Sequence, residues 1–296
     1  MSWYKIRYNK RSAKKYGWDP FWFSATAFDE YLIENIKAFQ RDHDLEVDGL
    51  CGPATYRRAF THLENRVTRP SKADITKTTF SHIFCDGMGI RIPWDKVKID
   101  FIKAGCYKKV FKPRNPTMVV THWDAALSAK SCKNILEARK ISTHFVIDND
   151  GTIVQLLDTN HIGWHAGIRK VNNVSIGIDF SNAVYTKYNK TYERRGFGKR
   201  PVVEGWRVHG RKIKPFLGFY PVQIEAYKVL LQALHDRYSI PLACPVDETG
   251  KLITTVVPDA RKGKYEGIVN HYNLTKGKWD TSGLELDKII QEMKTN

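Results

Sequence analysis

Between Thr117 and Phe180 the chain carries four short runs rich in β-branched and aromatic residues. Such runs must pair laterally before their backbones can be buried. Met118-Val119-Val120-Thr121-His122 and Thr143-His144-Phe145-Val146-Ile147 read as buried strands. Asp148-Asn149-Asp150-Gly151 is a tight turn into Thr152-Ile153-Val154-Gln155-Leu156, so the second and third runs form a hairpin. In Ser175-Ile176-Gly177-Ile178-Asp179-Phe180 the residues alternate: Ile176, Ile178 and Phe180 share one face, and Asp179 stands on the other. After Pro221, the spacing of Val222, Ala226, Val229, Leu230 and Ala233 predicts an amphipathic helix, as does that of Leu286, Ile289, Ile290 and Met293 near the C-terminus. Strands mixed with covering helices imply an α/β fold.

The N-terminal third has a different texture. Residues 1–28 are basic and aromatic, and Leu32, Ile36 and Phe39 then mark one helical stripe ending near His43. Val47-Asp48-Gly49-Leu50-Cys51-Gly52-Pro53 is a sharp turn, with Pro53 suited to open a second helix whose buried face is Tyr56, Phe60 and Leu63. Arg69-Pro70-Ser71-Lys72 reads as a linker. The expected organisation is a helical domain over 1–68, a linker and unassigned extension over 69–110, and an α/β domain over 111–296.

Composition narrows the partners. Aromatic residues at 12% and hydrophobic residues at 42% exclude a largely disordered chain. A net charge of +17 favours a polyanionic partner such as nucleic acid, an acidic membrane or an anionic cell envelope. No zinc finger, helix-turn-helix or RNA-binding signature supports nucleic acid. No run approaches the roughly 20 apolar residues of a membrane span, and the first residues lack the apolar block of a signal peptide, so synthesis in the cytoplasm is expected. Cys51, Cys85, Cys106, Cys132 and Cys244 are odd in number and scattered, which points to free thiols.

Among ten histidines, two end apolar runs: His122 after Met118–Thr121, and His271 after Gly267–Asn270. Lys278 and Asp280, two residues apart, would share one face of an extended segment. Two imidazoles and a carboxylate suffice to hold a catalytic zinc with its fourth position open. His161 and His165 are spaced i,i+4, but Gly163 and Gly167 argue against a helix there.

Two resemblances emerge from these residues. Ile36-Lys37-Ala38-Phe39-Gln40 with Leu45, Val47-Asp48-Gly49 and Gly52-Pro53-Ala54-Thr55 resembles the peptidoglycan-binding domain of bacterial and phage wall hydrolases. Val119–Trp123, Ser142–Ile147 with Asp150-Gly151, Trp164-His165-Ala166-Gly167, Ser175–Asp179, and His271 with Lys278-x-Asp280 are similar, in that order, to the zinc-dependent N-acetylmuramoyl-L-alanine amidases, relatives of the peptidoglycan recognition proteins. The resemblance implies a central mixed β-sheet flanked by helices, with Zn2+ held by His122, His271 and Asp280. It makes Asp179 and Lys278 catalytic, and places Thr143, Trp164 and His165 along the substrate cleft. Many relatives carry Glu where Asp179 stands. It implies a phage endolysin that acts on peptidoglycan and leaves the host cytoplasm through a holin or equivalent route; a wall-remodelling amidase and a non-catalytic peptidoglycan receptor are the alternatives. Residues 183–220 and 247–264, rich in basic and aromatic side chains, are longer than the family's usual loops and are expected to form a basic rim.

Overall fold

A computed structural model of the chain describes residues 2–43, 45–56, 58–59 and 81–295. The expected helix-face residues Phe60 and Leu63 and the linker at 69–72 lie outside the described residues. The chain divides into two compact units near residue 78.

In the N-terminal unit, α1 (Ser2–Tyr16) is followed by a 3-10 turn at Pro20–Phe23, α2 (Glu30–Asp42) and helical residues 53–56 and 58–59 (α3). Asp29 caps α2, its carboxylate accepting from the Leu32 N–H at 3.0 Å. Leu32, Ile36, Trp18, Phe23, Cys51 and Ala59 make the small core. The turn before α3 is held from one side by Gln40 of α2. Its amide reaches Asp48, the Leu50 carbonyl and Thr55 at 2.8 to 3.1 Å, and its carbonyl oxygen accepts from the Gly49 N–H at 2.8 Å. Gly49 has φ of 73°, and a β-carbon there would lie 2.7 Å from Ile33. Asn9 of α1 clamps the same turn from the other side, donating to the Gly49 carbonyl and accepting from the Cys51 N–H.

The second unit begins with a two-stranded ladder, β1 (Ser81–Cys85) and β2 (Met88–Ile92), followed by β3 (Val97–Ile99) and β4 (Tyr107–Lys108). Then come β5 (Met118–Trp123), α4 (Ala129–Arg139), β6 (Phe145–Ile147), β7 (Ile153–Gln155), β8 (Ile162–Gly163), α5 (Arg169–Val174) and β9 (Ser175–Phe180). Residues 183–220 hold α6 (Asn189–Arg194) and four short strands, β10 (Val202–Val203), β11 (Arg207–Val208), β12 (Arg211–Lys212) and β13 (Phe216–Leu217). The chain closes with α7 (Pro221–Tyr238), α8 (Pro258–Lys262), β14 (Gly267–Asn270) and α9 (Leu286–Thr295).

Six strands form one mixed sheet in the order β14-β5-β9-β6-β7-β3. β14, β5, β9 and β6 run parallel, and the β6–β7 hairpin is antiparallel. The edge strand β3 comes from the stretch that the sequence leaves unassigned. Alternation sorts the strand residues as expected. Val119, Ile176, Ile178, Phe180 and Ile268 pack with Leu230 and Leu234 of α7 and Leu286 and Ile289 of α9. On the opposite face, Met118, Val120 and Val269 meet Val171 of α5 and Ala260 of α8, while Val146 and Val154 meet Cys132 and Leu136 of α4. Asp179 does lie on this second face, but it is buried rather than solvated. The parallel strands β5, β9 and β14 bring their carboxyl ends to one rim, where α/β sheets place their ligand sites.

Candidate active site

His122, the penultimate residue of β5, lies directly beside Asp179 of β9 in the parallel register. His271 follows β14, whose Asn270 is paired with Thr121, so it emerges next to His122. Asp280 is carried in by the loop after β14, where the Tyr272 N–H donates to the Asp280 carbonyl at 2.9 Å. The result is a tight triangle: His122 Nδ1 and His271 Nδ1 are 3.0 Å apart, and Asp280 Oδ2 is 3.2 Å from the first and 2.9 Å from the second. All three side chains are buried.

Electrostatics sharpens what these atoms are. Burial alone would raise the Asp280 carboxyl, but the adjoining His122 and His271 imidazoles hold it well below the usual carboxylate range. His271 shifts downward: burial and the neighbouring His122 take away more than Asp280 returns. The pair therefore consists of an anionic carboxylate and a neutral imidazole rather than an ordinary ion pair.

Outer hydrogen bonds fix which nitrogen of His122 faces inward. The Ser175 hydroxyl donates to the Val171 carbonyl at 2.7 Å, leaving its oxygen to accept from His165 Nε2 at 3.2 Å. His165 Nδ1 is then the acceptor for His122 Nε2–H at 3.0 Å. That order assigns the Nδ1 lone pair of His122 to the triangle. Burial keeps His165 neutral, well below the ordinary histidine value. Its ring lies over β9 at Gly177, where a β-carbon would be 2.7 Å from the ring, so only glycine fits there.

Two imidazole nitrogens and a carboxylate oxygen facing one another at 2.9 to 3.2 Å leave room between them for a proton on His271 Nδ1 or, in its place, a cation. A tetrahedral ion with bonds of about 2.0 to 2.1 Å separates its ligand atoms by about 3.3 to 3.4 Å, close to this spacing. The donor set of two imidazoles and one carboxylate suits a borderline divalent ion such as zinc. Among the described residues this is the one group of three or more histidine, cysteine or acidic side chains whose ligand atoms meet this closely.

The triangle opens into a cavity of about 360 Å³. Thr143, His165, Asp179 and Lys278 line it; Trp164 does not, its ring standing partly exposed elsewhere. Burial raises the Asp179 carboxyl above its ordinary value, against the opposing charge of His122. Lys278 is exposed at the mouth. His161, which sequence spacing pairs with His165, instead stacks on Tyr107 with ring centroids 5.1 Å apart. His144 is fully satisfied: Nδ1 accepts from the Gly177 N–H at 3.0 Å and Nε2 donates to the His161 carbonyl at 3.1 Å.

Several lining residues escaped the sequence reading. Trp123 and Trp279 meet edge to face 4.9 Å apart, and Asp124 lies sealed below the rim, accepting from the N–H groups of Ala126 and Asn182 at 2.8 and 3.0 Å. Cys132 touches Asp179 at 4.0 Å, and burial raises its thiol well above the ordinary value. Trp123, immediately after His122 in the recognised block, was the available signal; Asp124 and Cys132 gave none.

Comparison with known proteins gives no match among curated sequences. Solved structures similar to the chain include the N-acetylmuramyl-L-alanine amidase AmiD from E. coli, in a complex with its substrate (TM-score 0.31, 24% identity). That match covers 45% of this chain and 48% of AmiD, so the chain spans about half of AmiD's length. They also include the amidase LysC from Clostridium intestinale (TM-score 0.40, 17% identity, 67% and 97% covered) and the Ph2119 endolysin from a Thermus scotoductus bacteriophage (TM-score 0.38, 17% identity, 67% and 97% covered). Residues 14–58 match the model of a putative peptidoglycan binding domain. Residues 112–282, which carry the whole triangle and amount to more than half of the chain, match the N-acetylmuramoyl-L-alanine amidase model, and the chain belongs to that family.

Proposed function

We propose that the protein is a zinc-dependent peptidoglycan hydrolase that cleaves the amide between the lactyl group of N-acetylmuramic acid and the L-alanine of the stem peptide. The observation that carries this reading is the convergence of His122 Nδ1, His271 Nδ1 and Asp280 Oδ2 at the open end of a cavity. Zinc bound there supplies Lewis acidity toward the lactyl carbonyl and lowers the pKa of a water molecule toward neutrality.

The remaining work falls to this chain's own side chains. Asp179, buried in the cavity wall with its carboxyl raised, accepts a proton from the attacking water and returns it to the departing alanine nitrogen. An amide nitrogen leaves poorly without that proton. Lys278 brings its ammonium to the mouth of the cavity and offsets the negative charge that develops on the carbonyl oxygen. The chain of Ser175, His165 and His122 orients the first ligand. Thr143 and His165 give the bound substrate a polar wall.

The wall-binding match at residues 14–58 supports an endolysin role, because tethering to an insoluble polymer raises the local concentration of the scissile bond. A +17 charge draws the protein to an anionic envelope. In that role a holin or equivalent partner would admit it to the wall. A receptor without activity is disfavoured, since all three metal-ligand positions are filled and meet in space.

The test is digestion of purified sacculi by wild-type and His271→Ala protein, with and without chelator. New alanine amino termini that vanish with the variant and with chelator are expected. New reducing ends instead would mean a glycosidase.

A further inference from the structure

Beyond Lys278 the catalytic cavity continues into a groove of about 700 Å³, the two sharing Val184, Tyr185, Gly277, Lys278 and Trp279. Five further cations stand along this groove: Lys187, Arg211, Lys212, Lys214 and Lys276, all exposed. Among the described residues no carboxylate lines it. Like charges gathered on one wall repel, and a counter-charge arriving from outside relieves that repulsion. The floor is apolar, with Val208, Ile213 and Phe216.

The fold builds this wall rather than leaving it to loose lysine tails. β11 and β12 pair in register around His209-Gly210, with φ of 52° and 77°, the left-handed pair that a two-residue hairpin turn demands. The His209 N–H donates to the Thr254 carbonyl at 3.0 Å, and its Nε2 meets the Lys278 carbonyl at 3.1 Å. The hairpin is thereby pinned to the main chain at the mouth of the cavity.

An apolar floor beneath a cationic rim suits a short peptide that mixes methyl groups with carboxylates. The stem peptide has that chemistry, whereas the glycan of the wall offers neutral hydroxyls and acetamides. We propose that the groove is a subsite for the carboxylate-bearing part of the stem peptide, so that stems with free carboxylates are preferred over stems whose carboxylates are amidated. The identity of the peptide rests on the amidase reading; the groove and its charge do not.

The experiment uses two soluble muropeptides that differ only in free carboxylate against carboxamide, with wild-type protein, an Arg211→Gln/Lys212→Gln double variant, and Lys214→Gln alone. These changes remove exposed charges and leave the hairpin turn intact. The expected result is a wild-type KM about tenfold lower for the free acid, a difference that shrinks to about twofold in the double variant and partway in Lys214→Gln, with kcat unchanged. Calorimetric titration of chelator-treated protein with the same two stem peptides reads the preference without turnover. A binding preference there with no cleavage of either muropeptide would sink the amidase reading and support the subsite. Equal KM and equal affinity for the two forms in the wild type, or a preference that survives the double variant, overturns the subsite. So does titration in which poly(glycerol phosphate) binds through Arg211 and Lys212 while neither stem peptide does.

Discussion

Arg200 and the His122, His271 and Asp280 triangle both hold ionisable groups away from water, and they do so in opposite ways. The Arg200 guanidinium, from the long stretch between β9 and α7, is buried, and the groups that accept its hydrogen bonds are neutral. It donates to the Gly218 and Ser181 carbonyls at 2.9 and 2.6 Å, to Gln223 at 3.1 Å and to Asn149, and lies against the rings of Tyr192 and Tyr220 at 4.5 and 4.4 Å. Both terminal nitrogens of the guanidinium meet acceptors, so the charge is spread over neutral dipoles and the knot ties residues 183–220 to the sheet. In the triangle, two imidazole nitrogens crowd one carboxylate oxygen with at most one proton among them. That arrangement costs stability unless something positive joins it, and it lies at the mouth of a cavity rather than in a core.

Breaking each side should give opposite signatures. The largest effect is expected in the triangle: His271→Ala or Asp280→Ala should cut cleavage of sacculi by at least about 10³-fold, with thermal stability in the presence of chelator unchanged or raised. A fall in melting temperature as large as that of a core variant would contradict the contrast. Arg200→Met should do the reverse, lowering stability by about 3 kcal/mol, or roughly 6 to 12 °C in melting temperature, read by calorimetry.

The outer hydrogen bonds give a finer test. His165→Phe and Ser175→Ala remove the groups that orient His122, and each should weaken metal binding by about 10- to 100-fold in a competition titration against a chromophoric chelator. Unchanged affinity would mean that His122 is oriented without them.

The smallest effect concerns His144, a buried histidine with both nitrogens paired. Burial lowers its pKa to about 3, against about 6.5 in an unfolded chain. Below pH 6.5 the unfolded chain therefore takes up a proton that the folded protein refuses. Its contribution to stability is complete above pH 6.5 and falls as pH drops toward 3, at up to about 1.4 kcal/mol per unit. Denaturant unfolding of wild type and His144→Asn at pH 7.5 and 5.5 should show about 1 kcal/mol of extra acid sensitivity in the wild type. Parallel losses in both would show that His144 is not the source.

Legibility in the sequence followed the physics of each region. The strands around His122, Asp179 and His271 could be read because period-two alternation and apolar runs are local consequences of burial on one or both faces of a sheet. The hairpin at 148–151 was equally plain, since its turn residues are chosen by backbone geometry. α1 gave no apolar stripe because its buried residues include Asn9 and Ser12, which serve hydrogen bonds rather than a hydrophobic face. β3 is three residues long and pairs only with β7, too short for any period to register. Nothing nearby in sequence announces the partners that let Asp124 and Arg200 be buried.

What the sequence by itself determined is the set of groups and their order: strands ending in His122 and His271, a carboxylate across from an apolar face, and blocks that name the family. The tertiary structure alone decided that the Nδ1 atoms of two histidines 149 positions apart meet an oxygen of Asp280. It also decided that Ser175 and His165 dictate which nitrogen points inward, and that the basic hairpin borders the same cavity. The reason is one of range. Alternation and turns are set by neighbours a few residues away, whereas the protonation and orientation of a buried imidazole are set by atoms that only the closed sheet brings within 3 Å.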